Sequence, residues 1–292
     1  MTHYGPSGRE AQTLLVTGTS SGIGLATAVA AARAGFTTVA TMRDLDRAEA
    51  LRDAAAGADV SLDVRRLDVT DAESVTACLD GVADTYGRLD AVVNNAGISN
   101  FDPTMEMSTM AALRANLDVN FFGVIEVSRA AMPMLRAAGG RLLTIGSVHG
   151  VVGQPFNEAY CAAKFAVEGF MESLAPVAAE HGVTVSVVVP GFVSDTSFGR
   201  FPDIDHHTIQ ADSGPYAGTF ADYFDWVTSQ GWGAAGQKAQ EVADVVVRTL
   251  LAERPPFRVP TSEWVADYLD QKLADRDGSA IQTLARTWLG KD

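Results

Sequence analysis

Short runs rich in β-branched residues, TLLVTG, FTTVATM, VRRLDV, LDAVVNN, RLLTIGS, VTVSVVVPG and FRVP, recur along the chain with longer Ala-rich amphipathic stretches between them. Helical patterns lie near residues 22–34, 71–86, 106–138, 157–181 and 240–253. Strands that alternate with helices are joined by right-handed crossovers, which lay helices on both faces of a parallel sheet. The alternation therefore predicts an α/β fold, a doubly wound parallel sheet of about seven strands covered on both sides.

No Pro/Gly/Ser-rich linker divides this pattern before residue 190, and 292 residues suffice for one large core. Residues 12–292 are expected to form a single domain. The polar, glycine-rich stretch 1–11 lacks the basic and apolar regions of a secretory signal and reads as a flexible tail. After Pro190-Gly191 the alternation gives way to a stretch rich in Gly, Pro, Asp and aromatics, among them Phe198, Phe201, Tyr216, Phe220, Tyr223, Phe224, Trp226 and Trp232. So many aromatics argue against a disordered linker, so residues 194–238 are read as a substrate lid and pocket wall, with a C-terminal extension over 260–292.

A formal net charge of −14 argues against a nucleic-acid partner and against an anionic membrane surface. The adjacent pair Arg65-Arg66 stands beside acidic residues and is read as part of a solvated loop. No apolar run is long enough to cross a bilayer. Cys78 and Cys161 lack metal-ligand spacing and fall in helical segments, so neither a metal site nor a disulfide is expected, and a reducing cytoplasm fits best.

The first strand runs directly into TGTSSGIG and then an Ala-rich helix. In such a turn Gly18, Ser20, Ser21, Gly22, Ile23 and Gly24 bring the backbone close to a phosphate, and the helix N-terminus offers it unpaired N–H groups. That placement points to a Rossmann-type dinucleotide site. At the end of the second strand, where NAD-binding proteins of this fold carry an acid for the ribose, stand Met42 and Arg43. A neutral side chain leaves room for a 2′-phosphate and a guanidinium pairs with one, which favours NADP(H) over NAD(H). Asp44 and Asp46 follow closely, and NAD(H) stays open if they reach the ribose. Further strand ends carry Asp68 and Val69, then Asn95, Ala96 and Gly97, then Ser147, as one continuous cleft would require.

Taken together, TGxxxGxG, NNAG, a serine thirteen residues before YxxxK and a later PG resemble the motif set of the short-chain dehydrogenase/reductase family. The stretches ATMRDL, GSVHGVVGQPFNEAYCAAKFAVEGFMESLA and TSEWVADYLDQKLADRDGSA look like its branch of estradiol-type 17β-hydroxysteroid dehydrogenases, with retinol and related carbonyl reductases as neighbours. The resemblance implies Tyr160 as general acid/base, Lys164 as the cation that lowers its pKa and holds the nicotinamide ribose, Ser147 as the donor to the substrate oxygen, and Asn120 as anchor of a proton relay. It also implies cofactor contacts from Pro190, Gly191 and Val193, and a homodimer or homotetramer. The family threonine of PGxVxT falls on Asp195, with Thr196 one residue late, so cofactor anchoring there requires a one-residue bulge. His149 is a polar residue at the cleft mouth or a substrate contact.

The expected activity is NADP(H)-dependent interconversion of a secondary alcohol and a ketone on a hydrophobic, bulky substrate, steroid-like or polyketide-like. A non-catalytic dinucleotide-binding redox sensor on the same fold is the alternative, and the presence of both Tyr160 and Lys164 weighs against it.

Overall fold

The strand Thr13–Thr17 (β1) is buried along its whole length, as a strand covered on both faces must be. The computed structural model describes residues 12–99, 102–196, 198, 205–229, 236–275, 277 and 279–288. The tail at 1–11, and Phe201 and Trp232 of the aromatic stretch, lie outside the described residues.

From β1 the chain continues through α1 (Gly22–Arg33), β2 (Thr37–Met42), α2 (Glu49–Gly57), β3 (Asp63–Arg66), α3 (Ala72–Tyr86), β4 (Ala91–Asn94), α4 (Met110–Leu117), α5 (Gly123–Ala138), β5 (Arg141–Ile145), α6 (Glu158–Ala179) and β6 (Thr184–Val189). Then follow α7 (His206–Asp212), α8 (Ala217–Ser229), α9 (Ala239–Leu251), β7 (Arg258–Pro260), α10 (Glu263–Ala274) and α11 (Ser279–Trp288). The seven strands lie in the order β3-β2-β1-β4-β5-β6-β7 and every pairing is parallel. Chain order reverses between β1 and β4, so a crevice opens beyond their carboxyl ends.

The two-residue period of a strand sends neighbouring side chains to opposite layers. Leu14 and Val16 pack with Ala31 of α1 and with Val245, Val246 and Leu250 of α9. Leu15 packs instead into the larger core with Leu79, Val127, Leu135 and Met171 from α3, α5 and α6.

Four features differ from the sequence reading. The helical pattern at 106–138 is two helices, α4 and α5, joined by a π turn at Asp118–Phe122. Helix α2 is short and buries only Leu51 and Ala55, too few apolar positions to stand out as a period. The irregular stretch after Pro190 contains α7 and α8, whose Phe220, Tyr223 and Val227 form a small core with Val152 and Phe156. Arg65 and Arg66 belong to β3: Arg65 pairs with Asp63 at 2.6 Å, and Arg66 donates to Ser74 Oγ at 3.0 Å. Cys78 and Cys161 are free, buried thiols on α3 and α6.

Candidate active site

The turn after β1 places Gly18 and Gly22 at φ of +70° and +57°, the left-handed region that side-chain-bearing residues avoid. A Cβ on Gly24 would stand 2.2 Å from the Gly18 carbonyl oxygen. Asn95 bolts this turn to β4, donating from Nδ2 to the carbonyls of Thr17 at 2.9 Å and Gly18 at 3.0 Å. Ser21 begins α1 without a side-chain cap, and the first turn carries no acid, so the leading N–H groups stay available to an anion. A cradle so closely packed, aimed by a helix N-terminus, fits a dinucleotide diphosphate.

At the end of β2, Met42 is buried and Arg43 is exposed, and both line the cleft. Arg47, which the sequence reading did not single out, lines it as well. It arrives there because Asp44 caps a short turn over Leu45–Arg47, accepting from the Asp46 amide at 3.0 Å. One oxygen of Asp44 is thereby committed to the backbone. Beyond β3, partial burial alone would raise the Asp68 pKa, but hydrogen bonds from Thr70 and the charges of Arg43 and Arg66 hold it below the usual carboxylate range.

Ser147 follows β5 and caps the turn Val148–Gly150, accepting from the His149 amide at 3.1 Å. Tyr160 and Lys164 stand one turn apart on α6, both buried. Lys164 donates from Nζ to the Ile145 carbonyl at 2.9 Å and lies 5.7 Å from the centre of the Tyr160 ring. Burial lowers the Lys164 pKa to about 8. Burial also raises the Tyr160 phenol well above its ordinary value, only partly opposed by a hydrogen bond with Ser147.

Asn120 sits in the π turn, fully buried. Its Oδ1 accepts from the Ile98 amide at 3.0 Å and its Nδ2 donates to the Ile98 carbonyl at 2.9 Å. A second donation reaches Asn116 Oδ1 at 3.3 Å.

In the PGFVSDT stretch, Asp195 and Thr196 face different ways. Val193 forms a β-bridge with Gln237, and Asp195 turns away from the cleft to accept from the Ala239 amide at 2.8 Å, at the start of α9. Thr196 is left buried on the cleft wall beside Gly22, donating to the Val193 carbonyl at 3.2 Å. Trp264 packs over Gly191, so closely that a Cβ there would lie 2.9 Å from its ring.

All the sequence-singled residues at the strand ends, from Gly18 through Val69, Ala96, Gly97 and Pro190 to Thr196, meet in one cleft of about 640 Å³. Of the aromatics after residue 194, Phe198 lines it, edge-on to the Tyr160 ring at 5.7 Å. His149 also lines it, with Nδ1 3.1 Å from the Val152 carbonyl, and burial pushes its pKa down to about 4. Phe192, Trp264, Gln154 and Asn157 complete walls that the sequence reading did not assign.

A seven-stranded parallel sheet whose switch point holds a glycine cradle and a Ser, Tyr and Lys constellation defines a Rossmann-type oxidoreductase. The chain belongs to the short chain dehydrogenase family, whose model matches residues 12–202. It is 36% identical over 282 residues to retinol dehydrogenase 8 of Bos taurus, covering 92% of this chain and 87% of that protein. It is also 36% identical over 279 residues to 17-beta-hydroxysteroid dehydrogenase type 1 of Homo sapiens, covering 92% and 83%. Among solved structures, a short-chain dehydrogenase from Streptomyces avermitilis superposes with a TM-score of 0.75 at 28% identity, covering 96% of this chain and 98% of that one. The family makes this chain an oxidoreductase that acts on CH–OH groups with a nicotinamide cofactor.

Proposed function

We propose that the protein is an NADP(H)-dependent dehydrogenase/reductase that interconverts a secondary alcohol and a ketone on a bulky, hydrophobic substrate. The observation that carries this reading is the convergence of Tyr160, Ser147 and Lys164 on the cleft that the glycine turn enters. When bound, the nicotinamide supplies or accepts the hydride at the carbonyl carbon.

Toward the alcohol, Tyr160 gives its phenolic proton to the carbonyl oxygen, and its raised pKa keeps that proton in place at neutral pH. Ser147 donates to the same oxygen and stabilises its developing charge. Lys164 is the cation next to Tyr160 and favours the phenolate that remains. The Asn120 side chain is committed to Ile98 and Asn116, and its part as anchor of a proton relay rests on the family resemblance. NADP(H) preference rests on Arg43 and Arg47 beside a cap-committed Asp44, and carboxamide anchoring rests on Thr196.

The substrate class follows from Phe192, Phe198 and Trp264 on the cleft wall and from the steroid and retinol enzymes among the relatives. Phe198 and Trp264 are the cleft-lining aromatics from the segments around 194–238 and 260–292, and they support a lid and a C-terminal extension there. Exposed Phe165, Phe170 and Val177 on α6, with exposed Phe122 at the end of the π turn before α5, support a homodimer or homotetramer. No described helix is long and apolar enough to cross a membrane, and the two free thiols accord with work in the cytoplasm.

Tyr160→Phe tests the central role. Turnover of a hydrophobic ketone panel with NADPH should fall roughly 10²–10⁴-fold while NADPH still binds. Retained turnover would remove Tyr160 from the acid/base role.

A further inference from the structure

Three side chains that the mechanism above does not use form a polar chain behind the catalytic tyrosine. Tyr223 of α8 is almost completely buried, and its hydroxyl accepts from Gln154 Nε2 at 2.8 Å. Gln154 Oε1 in turn accepts from Asn157 Nδ2 at 2.9 Å. Gln154 and Asn157 are only 6% and 4% exposed, and both line the cleft. Asn157 Oδ1 is buried and has no hydrogen-bond partner among the described residues.

Such a group is costly to desolvate and is rarely left unmatched. Asn157 occupies the position before α6 where a short polar side chain ordinarily caps the helix, yet its side chain makes no cap bond. The link to Gln154 turns the amide away from the helix instead, and Gln154 is held by a tyrosine from an element 69 residues further along the chain. Asn157 also precedes Tyr160 by three residues, so the two stand as neighbours one turn apart at the start of α6.

We infer that Asn157 Oδ1 is the acceptor for a hydroxyl on the substrate, held in place by Gln154 and Tyr223, so that the cleft selects hydroxyketones over ketones with no second polar group. This deepens the oxidoreductase reading and rests on it. Asn157 is the binding residue, whereas Gln154 and Tyr223 are positioning residues that act through it. A hydroxyl donor satisfies this oxygen, while a plain hydrocarbon leaves it unpaired. A site built to pair with a hydroxyl discriminates against the analogue that lacks it far more sharply than an apolar wall discriminates by size.

The test uses rigid bicyclic ketones: 2-decalone, its derivatives hydroxylated on the distal ring, and their methyl ethers. Their kcat/KM values with NADPH, and their dissociation constants from the NADP-loaded protein, are compared for the wild type, Asn157→Ala, Gln154→Leu and Tyr223→Phe. At least one hydroxydecalone should exceed both the parent and its methyl ether by roughly tenfold to a hundredfold. Asn157→Ala should bring that ratio close to one, and Tyr223→Phe should reduce it without abolishing it. Because the readout is a ratio within each variant, a general loss of stability does not imitate it.

Equal kcat/KM across the panel, unchanged by Asn157→Ala, would overturn the subsite and leave the oxidoreductase reading standing. Preferential binding of a hydroxydecalone without turnover would support the subsite and count against that reading. A preference for the methyl ether would overturn the acceptor role, and failure to bind any member would overturn the subsite.

Discussion

Asn120 and Ile98 are joined by two hydrogen bonds in opposite directions, 3.0 Å to the Ile98 amide and 2.9 Å from its carbonyl. One side chain thus completes both backbone polar groups of a residue in the loop that follows β4. The loop includes Gly97, where a Cβ would stand 2.8 Å from Asn120 Oδ1, so the clip and the glycine fit each other. Asn120→Ala should leave two partly buried backbone groups without this partner and cost about 2 kcal/mol, at about 1 kcal/mol for each. Urea unfolding at constant m-value checks this, and loss of activity without loss of stability would mean that the clip is not structural.

Cofactor choice should follow the end of β2. Arg43→Ala should weaken NADPH roughly tenfold, equivalent to about 1.4 kcal/mol, and leave NADH nearly unchanged. Arg47→Ala should act in the same direction. Fluorescence titrations with both cofactors measure the ratio, and a wild type that prefers NADH would reverse the assignment.

Asp195 is expected to matter through Thr196. Asp195→Ala removes the acceptor for the Ala239 amide at the start of α9 and should cost about 1 kcal/mol, in the range of a lost helix cap. The same change frees the turn at 194–196 that sets Thr196 on the cleft wall, so NADP(H) affinity should fall as well. A thermal melt with and without cofactor separates the two effects.

His149 should shape the acid limb of stability. Burial depresses its pKa from about 6.5 to about 4, although the Val152 carbonyl accepts from its ring and opposes the shift. Between those values the unfolded chain binds a proton that the folded chain refuses, so this contribution is present in full above pH 6.5 and is lost as pH falls toward 4. His149→Gln should flatten the stability profile across that window. An unchanged profile would show that the imidazole titrates freely.

Both thiols should be inert in the folded protein. Burial pushes the Cys78 and Cys161 pKa values up to about 11, so little thiolate exists at pH 8. Ellman's reagent at pH 8 should therefore react only after denaturant is added, and then with both cysteines. Fast reaction of the native protein would mean that α3 or α6 opens readily.

Much of the molecule was legible before any coordinates. The alternation of strand and helix, the glycine turn after β1 and the spacing of Ser147, Tyr160 and Lys164 are local signals, because strand and helix periods and a single turn span only a few residues. These indicated the sheet, the glycine turn, and the Ser147, Tyr160 and Lys164 group that lines the cleft. The long pattern at 106–138 misled only where one extra residue turned the helix into a π turn around Asn120, a defect that apolar spacing does not register.

Tertiary structure alone decided how distant segments complete the cleft. Asp195 finds its partner at Ala239, Tyr223 reaches Gln154, and Trp264 closes over Gly191, pairs separated by 44, 69 and 73 positions in the chain. No local period encodes such contacts, since they arise when packed layers bring remote loops together at the carboxyl edge of the sheet. Burial acts in the same way on the chemistry: the sequence set Lys164 one turn from Tyr160, but only the folded environment buries the pair, which raises the phenol pKa and lowers that of the ammonium.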